Sequence, residues 1–229
     1  MNKRYHGNLD LSQYGKGRMA PVRIKKTRLS LPKEPLQILR MLVSVDCGQS
    51  VYLPETLEWV RPVLKTGLTR QNKLQLAHPF IYVTVRHGLV SSDSDDEWHV
   101  DGFSMRVPHR PEQNYVWVSN NGTEFWDHSL HIPFGFTPLT HNINKLFQNQ
   151  IAQSFSPRGP GYIDSQAVYL FDPYIIHRRP PNTQGIKRTF VRVSFVPIPI
   201  ADVNNTQNEF LPTPRMWLKD GRACRESLL

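Results

Sequence analysis

The chain has 229 residues, of which 39% are hydrophobic and 21% are charged, a composition typical of one globular domain with a buried core. No stretch approaches the roughly 18 consecutive apolar residues needed to span a bilayer, and the first residues lack the apolar segment of a secretory signal. Two cysteines, Cys47 and Cys224, cannot build a disulfide framework. We therefore expect a cytoplasmic protein with reduced thiols and no membrane association.

The net charge of +9 is concentrated at the start of the chain. Residues 1–30 carry eight Lys and Arg against one acid, whereas residues 31–211 carry sixteen basic and sixteen acidic side chains. We predict a basic N-terminal arm over residues 1–30 and a single domain with a C-terminal extension over residues 31–229. Such an arm is suited to an anionic partner such as a phosphate backbone, or is simply solvated and partly disordered.

Helical patterns dominate the first part of the chain after the arm. Three leucines recur with helical spacing over residues 34–42, which predicts a first helix. A second helix is predicted over residues 54–65, with Pro54 in its first turn and a stop at Gly67. A third, over residues 142–154, interrupts the strands that follow.

From residue 79 the pattern changes to short β-branched and aromatic runs separated by Pro, Gly and polar turns. Many short strands after two helices predict a mainly β protein, a sandwich or barrel with flanking helices. The nineteen prolines favour loops and sheet edges over a helical bundle. Strands are predicted over residues 80–85, 97–102, 114–119, 167–171, 174–177 and 188–196.

A His-x-Asp pair lies within Glu97-Trp98-His99-Val100-Asp101-Gly102. Side chains alternate along a strand, so His99 and Asp101 share one face and can bind one ion. His177, at the end of another apolar strand, supplies a third ligand, and two histidines with one carboxylate form a facial triad suited to Fe(II). Any of four other histidines could replace His177 as the third ligand: His109, His128, His131 or His141.

The chain continues as His177-Arg178-Arg179-Pro180-Pro181-Asn182-Thr183-Gln184-Gly185-Ile186-Lys187-Arg188, a strand end, a turn and an arginine-led strand. This resembles the C-terminal part of the 2-oxoglutarate- and Fe(II)-dependent dioxygenase superfamily, where a basic residue beyond the distal iron histidine binds the cosubstrate. The resemblance implies that Arg188 binds a carboxylate of 2-oxoglutarate through parallel hydrogen bonds. Arg192 is the competing candidate, because Arg192-Val193-Ser194 imitates the Arg-x-Ser signature of some members.

By strand pattern the resemblance spans residues 80–197. It implies a double-stranded β-helix, a cupin-like jelly roll, with Fe(II) at one open end. It also implies a catalytic domain that consumes O2 and 2-oxoglutarate, releases succinate and CO2, and oxidises a C–H bond. The carboxylate ligand Asp101 favours hydroxylation, desaturation or demethylation over halogenation, and the compact domain favours a small-molecule substrate over a macromolecule.

Four further residues are candidate site residues in the same resemblance. Tyr115 is predicted to offer its hydroxyl to the cosubstrate, and Trp117, on the same strand face, to wall the site. Phe103 and Arg106 are predicted substrate contacts, because the segment after the His-x-Asp pair often approaches the substrate in this superfamily. For Tyr115 and Trp117 the alternative is plain core, which is the commoner role of an aromatic stripe on a strand. A loop packed on the core accounts equally well for Phe103, and solvent exposure for Arg106.

Other functions stay open at this point. A cupin-like metalloprotein without redox chemistry would use the same three ligands but would not need Arg188. An oxygenase acting on nucleic acid would use the basic arm to hold its substrate. A nucleic-acid-binding protein without enzymatic activity is disfavoured because residues 31–211 carry no net charge.

Overall fold

The computed structural model describes the protein over residues 10–16, 19–74, 78–90, 96–101, 112–138, 140–154, 159–181, 183–200 and 202–211. Over these ranges the chain is mainly β, with two antiparallel sheets of six and three strands and few helices. The prediction of a mainly β protein is therefore confirmed. No helix within the described ranges is long and apolar enough to cross a membrane.

The strands of the described chain are numbered in chain order. They are β1 (Val22–Lys26), β2 (Leu36–Ser44), β3 (Phe80–Leu89), β4 (Gln113–Val118), β5 (Glu124–Trp126), β6 (Gly161–Tyr162), β7 (Ala167–Phe171), β8 (Ile176–Arg178) and β9 (Lys187–Val196). The α-helices are α1 (Arg61–Leu74) and α2 (Ile143–Gln153), and short 3₁₀ helices span Leu11–Lys16 and Glu55–Val60.

The chain passes repeatedly between the two sheets. The large sheet has the strand order β1-β7-β4-β9-β3-β2, and the small sheet has the order β6-β5-β8. An isolated antiparallel bridge between His99 and His177 adds the segment before β4 to the β8 edge of the small sheet. From β3 to β9 the chain therefore crosses repeatedly between the two sheets, with β5 and β6 both in the small sheet, and distant segments become neighbours.

Alternation along β9 gives the large sheet an apolar outer face and a polar inner face. Val191, Val193 and Phe195 are buried in the outer core, which α1 covers by packing against β4 and β9. Arg188 and Arg192, on the other face, line a cavity. The buried outer face thus fixes the strand that carries the inner arginines.

The outer side of the small sheet is covered by α2 and by the first described residues. Ile143, Phe147 and Ile151 recur every four residues on α2 and are buried in one cluster. Tyr14, from the predicted basic arm, joins that cluster with its ring centroid 4.6 Å from that of Phe147. Strand β1, also from the arm, pairs with β7. Part of residues 1–30 therefore belongs to the folded domain.

The predicted helix over residues 34–42 is wrong, because residues 36–42 of this segment belong to β2. Its apolar residues fit both periods, since Leu36 and Ile38 are two positions apart while Leu39 and Leu42 continue a helical spacing. Strand β2 pairs with β3 in an antiparallel register with two irregularities. That long-range pairing supplies the backbone hydrogen bonds and overrides the local helical pattern.

The second predicted helix ends too early. A 3₁₀ helix precedes α1, so Pro62 lies in the first turn of α1, where proline is tolerated. The helix then continues through Gly67 to Leu74. Glycine is needed there because α1 packs closely on the large sheet: a β-carbon at position 67 would lie 2.7 Å from Cε2 of Phe195.

Most other predicted elements are confirmed. The third helix is α2, with Asn142 as its N-cap; the side-chain oxygen of Asn142 accepts a hydrogen bond from the Lys145 N–H at 3.0 Å. The segment at residues 97–102 forms only the bridge at His99 among its described residues. The strand predicted over residues 174–177 is the shorter β8, and four others match β3, β4, β7 and β9.

Replacing Gly67 with valine should destabilise the protein, because the side chain would press on the buried rings of Phe195 and Tyr115. We expect the free energy of unfolding, measured by urea denaturation, to fall by about 1–3 kcal/mol. Gly15→Ala is the control, since a β-carbon there would meet no other side chain or backbone within 4 Å among the described residues. Equal midpoints for wild type and Gly67→Val would contradict close packing of α1.

Candidate metal centre

Backbone pairing brings the two predicted ligand segments together. The His99 N–H donates to the His177 carbonyl at 3.0 Å, and the His177 N–H donates to the His99 carbonyl at 2.9 Å. On the opposite edge of the His99 segment, two side chains of α2 accept backbone hydrogen bonds. The side-chain oxygen of Asn144 accepts from the Val100 N–H at 3.1 Å, and that of Gln148 accepts from the Trp98 N–H at 2.8 Å. The segment is therefore held on both edges although it is not a regular strand.

The three predicted ligands converge. His99, Asp101 and His177 each offer one ligand atom, and these atoms all lie within 4.8 Å of one another. The imidazole centroids are 4.4 Å apart, and Nε2 of His177 lies 3.5 Å from Oδ2 of Asp101. Two imidazoles and one carboxylate are ligand types that suit a divalent transition metal such as Fe(II). The donor set and its spacing therefore fit a metal ion.

Both imidazoles are oriented through their other nitrogen. Nδ1 of His99 lies 2.8 Å from the Glu97 carbonyl oxygen, and Nδ1 of His177 lies 2.9 Å from the Ile175 carbonyl oxygen. A carbonyl only accepts, so each Nδ1 carries the proton and donates. Each Nε2 is then left with its lone pair, which is the arrangement that metal-binding histidines use.

The Asp101 carboxylate is fixed by two side chains of the large sheet. Nη1 of Arg192 donates to Oδ1 at 2.8 Å, and Nδ2 of Asn114 donates to Oδ2 at 3.3 Å. The oxygen nearer His177 is therefore the one that Arg192 does not bind. Such contacts behind a ligand restrict its rotation and tune its charge.

Electrostatics keep both buried ligands in the protonation states that bind metals. Burial by itself would raise the pKa of Asp101, but Arg192, His177 and His99 hold that pKa well below its usual range. Burial, assisted by the nearby His99, lowers the pKa of His177 to about 4. At neutral pH Asp101 is a carboxylate and His177 is a neutral imidazole.

A cavity of about 360 Å³ opens beside the three ligands. Among the described residues, its wall contains six arginines and two acids, Asp101 and Asp202. Arg192 is paired with Asp101, and Arg178 is paired with Glu124 at 2.6 Å. The arginines of the wall are Arg40, Arg86, Arg178, Arg179, Arg188 and Arg192.

Arg188 is a buried cation of this cavity, held by two hydrogen bonds. Its side chain is buried, and its Nε and Nη2 donate to the Asn121 carbonyl and the Thr123 hydroxyl at 3.1 and 3.3 Å. Burial, and then the charges of Arg179 and Arg86, lower the pKa of Arg188 to about 10, so it stays cationic at neutral pH. A buried guanidinium bonded to neutral oxygens and near other arginines is suited to bind an anion.

The structure does not bring Tyr115 and Trp117 to the cavity. Both lie on the outer face of β4 in the core beneath α1, where the Tyr115 hydroxyl accepts a hydrogen bond from Gln71 Nε2 at 3.0 Å. Trp117 Nε1 donates to the Thr27 carbonyl at 2.8 Å. The two residues share a face as predicted, but it is the face away from the metal ligands. Their assignments to the cosubstrate and the cavity wall are therefore wrong.

Two residues at the site were not predicted from the sequence. Asn114 precedes Tyr115 on β4, so it occupies the opposite face and reaches Asp101. Arg40 lies at an irregularity of β2 with a φ of +42°, which is uncommon for a residue other than glycine. Neither residue could be predicted from the sequence. The sequence does not show which face of β4 meets the site, and Arg40 lay within a predicted helix.

The remaining candidates fall outside this group. Phe103 and Arg106 lie outside the described residues, as does His109. Among the described histidines, His128, His131 and His141 do not belong to the three-residue cluster. No model of a known protein family matches this chain, and no curated protein is significantly similar to it in sequence.

Titration with Fe(II) under anaerobic conditions should show one binding site per chain. Replacing Asp101 or His177 with alanine should weaken that binding by about 100-fold or more, since it removes a ligand. His141→Ala is the matched control, because His141 is exposed and outside the cluster. Equal losses in all three variants, or no binding by the wild type, would contradict this site.

Proposed function

We propose that the protein is an Fe(II)- and 2-oxoglutarate-dependent oxygenase that hydroxylates a C–H bond of a small molecule. The observation that carries the proposal is the convergence of His99, Asp101 and His177 beside a buried cationic Arg188. The three ligands account for a metal, while Arg188 accounts for a second, anionic group in the same cavity. A cupin-like metalloprotein without redox chemistry would need the three ligands but not Arg188.

The fold belongs to the proposal. We infer a double-stranded β-helix, a jelly roll, because the chain crosses repeatedly between the two sheets from β3 to β9. The ligands would then lie on two neighbouring segments of the small sheet, at His99 and at β8. Arg188 would lie at the start of the last strand of the large sheet, where the superfamily carries its cosubstrate-binding residue.

Arg188 is better placed than Arg192 to bind the cosubstrate. Arg192 already donates to Asp101 at 2.8 Å, so its role in this proposal is to orient the carboxylate ligand. Arg188 lies four residues earlier on the same strand, about 13 Å along it. We assign to Arg188 the distal carboxylate of 2-oxoglutarate, with the neighbouring Thr123 hydroxyl as a further polar contact in the cavity.

In this proposal each residue of the site has its own role in the reaction. His99, Asp101 and His177 would hold Fe(II), which supplies dioxygen activation coupled to the conversion of 2-oxoglutarate into succinate and CO2. Arg192 keeps Asp101 ionised and oriented. Phe171 packs edge-on against the His177 ring at a centroid distance of 5.0 Å and limits access of water from that side.

The cavity also restricts the class of substrate. Its volume of about 360 Å³ lies in the range of small-molecule sites. The wall has six arginines, while Asp101 and Asp202 line it and Glu124 pairs with Arg178, which leaves three positive formal charges. The two carboxylates of one cosubstrate do not neutralise all three. We therefore propose a small molecule that itself carries a negative charge.

Arg188 and Arg192 should have separable effects. Arg188→Gln should weaken 2-oxoglutarate binding by about 10- to 100-fold through loss of a charge-assisted contact, with Fe(II) affinity unchanged. Arg192→Leu should instead weaken Fe(II) binding by about 10- to 100-fold. Anaerobic titration of the Fe(II)-loaded protein with 2-oxoglutarate, followed by the visible charge-transfer band, measures the first effect.

Lys187→Gln is the control for Arg188→Gln, since it removes the same charge from an exposed neighbour on the strand. The absence of the band in wild-type protein fully loaded with Fe(II) would exclude the oxygenase and favour the metalloprotein without redox chemistry. Loss of the band in Arg192→Leu alone, at saturating Fe(II), would transfer the cosubstrate role to Arg192.

Succinate release should depend on the charge of the substrate. In a panel of amino acids, organic acids and phosphorylated metabolites, we expect anionic compounds to stimulate it more than their neutral analogues. Arg40→Gln should lower kcat/KM for the active anionic compound without changing 2-oxoglutarate binding, because Arg40 lines the cavity on β2, remote in the sheet from Arg188. Preference for neutral analogues would contradict this substrate class.

A further inference from the structure

A second concave surface lies outside the metal centre, in the cleft between β1 and α1. Its volume is about 990 Å³. We call it the basic groove, because its described lining contains eight Lys and Arg and one acid, Glu58. Its cations are Arg23, Lys25, Lys26, Arg28, Arg61, Lys65, Arg70 and Lys73.

We propose that the basic groove binds the sugar–phosphate backbone of a nucleic acid. Glu58 is already paired with Arg61, and the partner of Arg23 in the described part of the chain is the exposed Asp164 at 3.6 Å. The lining therefore carries an excess of seven positive formal charges. Nε of Arg70 is buried and has no hydrogen-bond partner in the described structure. Groups of this kind attract and pair with phosphates.

The arrangement of the cations matches a chain-like partner. Arg61, Lys65 and Lys73 are separated by multiples of four residues, so they follow a line that winds gradually around α1 over about 18 Å. That length corresponds to roughly five phosphates of one strand of a duplex. The groove is concave and bordered by β1 on its other side, which suits a strand better than the flat surface of a lipid bilayer.

The other lining residues indicate contacts to the backbone without sequence preference. Thr27, Thr66 and Thr69 place hydroxyl groups among the cations, and hydroxyls are common donors to phosphate oxygens. Among the described lining residues there is no aromatic side chain on which a base could stack. Phosphate contacts alone give strong salt dependence and little discrimination between sequences.

The proposal is independent of the proposed oxygenase. The basic groove lies at the β1 edge beside α1, which covers the outer face of the large sheet, whereas the cavity is lined by residues of its inner face. The two linings share no described residue. Nucleic-acid binding therefore survives loss of the metal ligands, and metal binding survives loss of the groove cations.

Fluorescence anisotropy of the full chain with labelled 20-base-pair DNA of scrambled sequence, and with RNA of matched length, tests the groove. We expect log K to fall with log salt concentration with a slope of about −3 or steeper, which corresponds to three or more phosphates. The triple variant Lys25→Glu, Lys65→Glu and Lys73→Glu should bind at least about tenfold more weakly and with a shallower slope.

The matched control is Lys16→Glu, Lys33→Glu and Lys145→Glu, which changes the net charge equally at exposed positions outside the groove. It should keep most of the affinity, and both variants should keep the Fe(II) affinity of the wild type. Equal loss in both would assign the binding to net charge and overturn the groove. No binding to DNA or RNA at low salt, or binding to phosphatidylserine vesicles alone, would also overturn it.

A measurement on the wild type does not depend on the folding of variants. Acetylation of lysines, read by mass spectrometry with and without bound DNA, should show protection of Lys25, Lys26, Lys65 and Lys73. Lys145, on α2, should be acetylated equally in both samples. Protection confined to lysines outside the groove would contradict the proposal.

Discussion

The candidate site depends on the exchange of two backbone hydrogen bonds between His99 and His177. These residues are 78 positions apart in the sequence, and an antiparallel pair of this kind places their side chains on the same face. Asp101 joins them because it lies two residues beyond His99. The side chains of Asn144 and Gln148 fix the other edge of the same segment, so α2 determines where the ligands lie although it contributes none.

Strand β9 connects this pairing to the rest of the molecule. Its outer side chains are buried beneath α1, and its inner side carries Arg192 against Asp101 and Arg188 farther along the cavity. A single well-packed strand therefore sets both the orientation of the Asp101 carboxylate and the position of Arg188, the proposed anion-binding cation. Function-bearing side chains on a buried strand are held more precisely than they would be on a loop.

In the basic groove, the fold brings together the cations of β1 and those of α1, whose charge is balanced by acids elsewhere in residues 31–211. Residues 31–211 carry equal numbers of basic and acidic side chains, and this balance argued against a basic surface on the domain. The cations of α1 are nevertheless gathered beside those of β1, while many of the acids lie elsewhere. Local density, rather than the sum over a segment, decides the potential that a phosphate backbone meets.

The sequence by itself determined those features that depend on spacing along one segment. The His-x-Asp pair predicts two ligands on one face, because side-chain alternation is a local property. The resemblance of the segment after His177 implied a cation in the same site. The tertiary structure alone decided which face of β4 meets the site, so that Asn114 is there and Tyr115 is not. It also made residues 36–42 part of a strand, because pairing with β3 outweighs an ambiguous local pattern. Spacing along the chain predicts which side chains share one face of a strand or helix. Only the packing of sheets and helices decides what that face contacts.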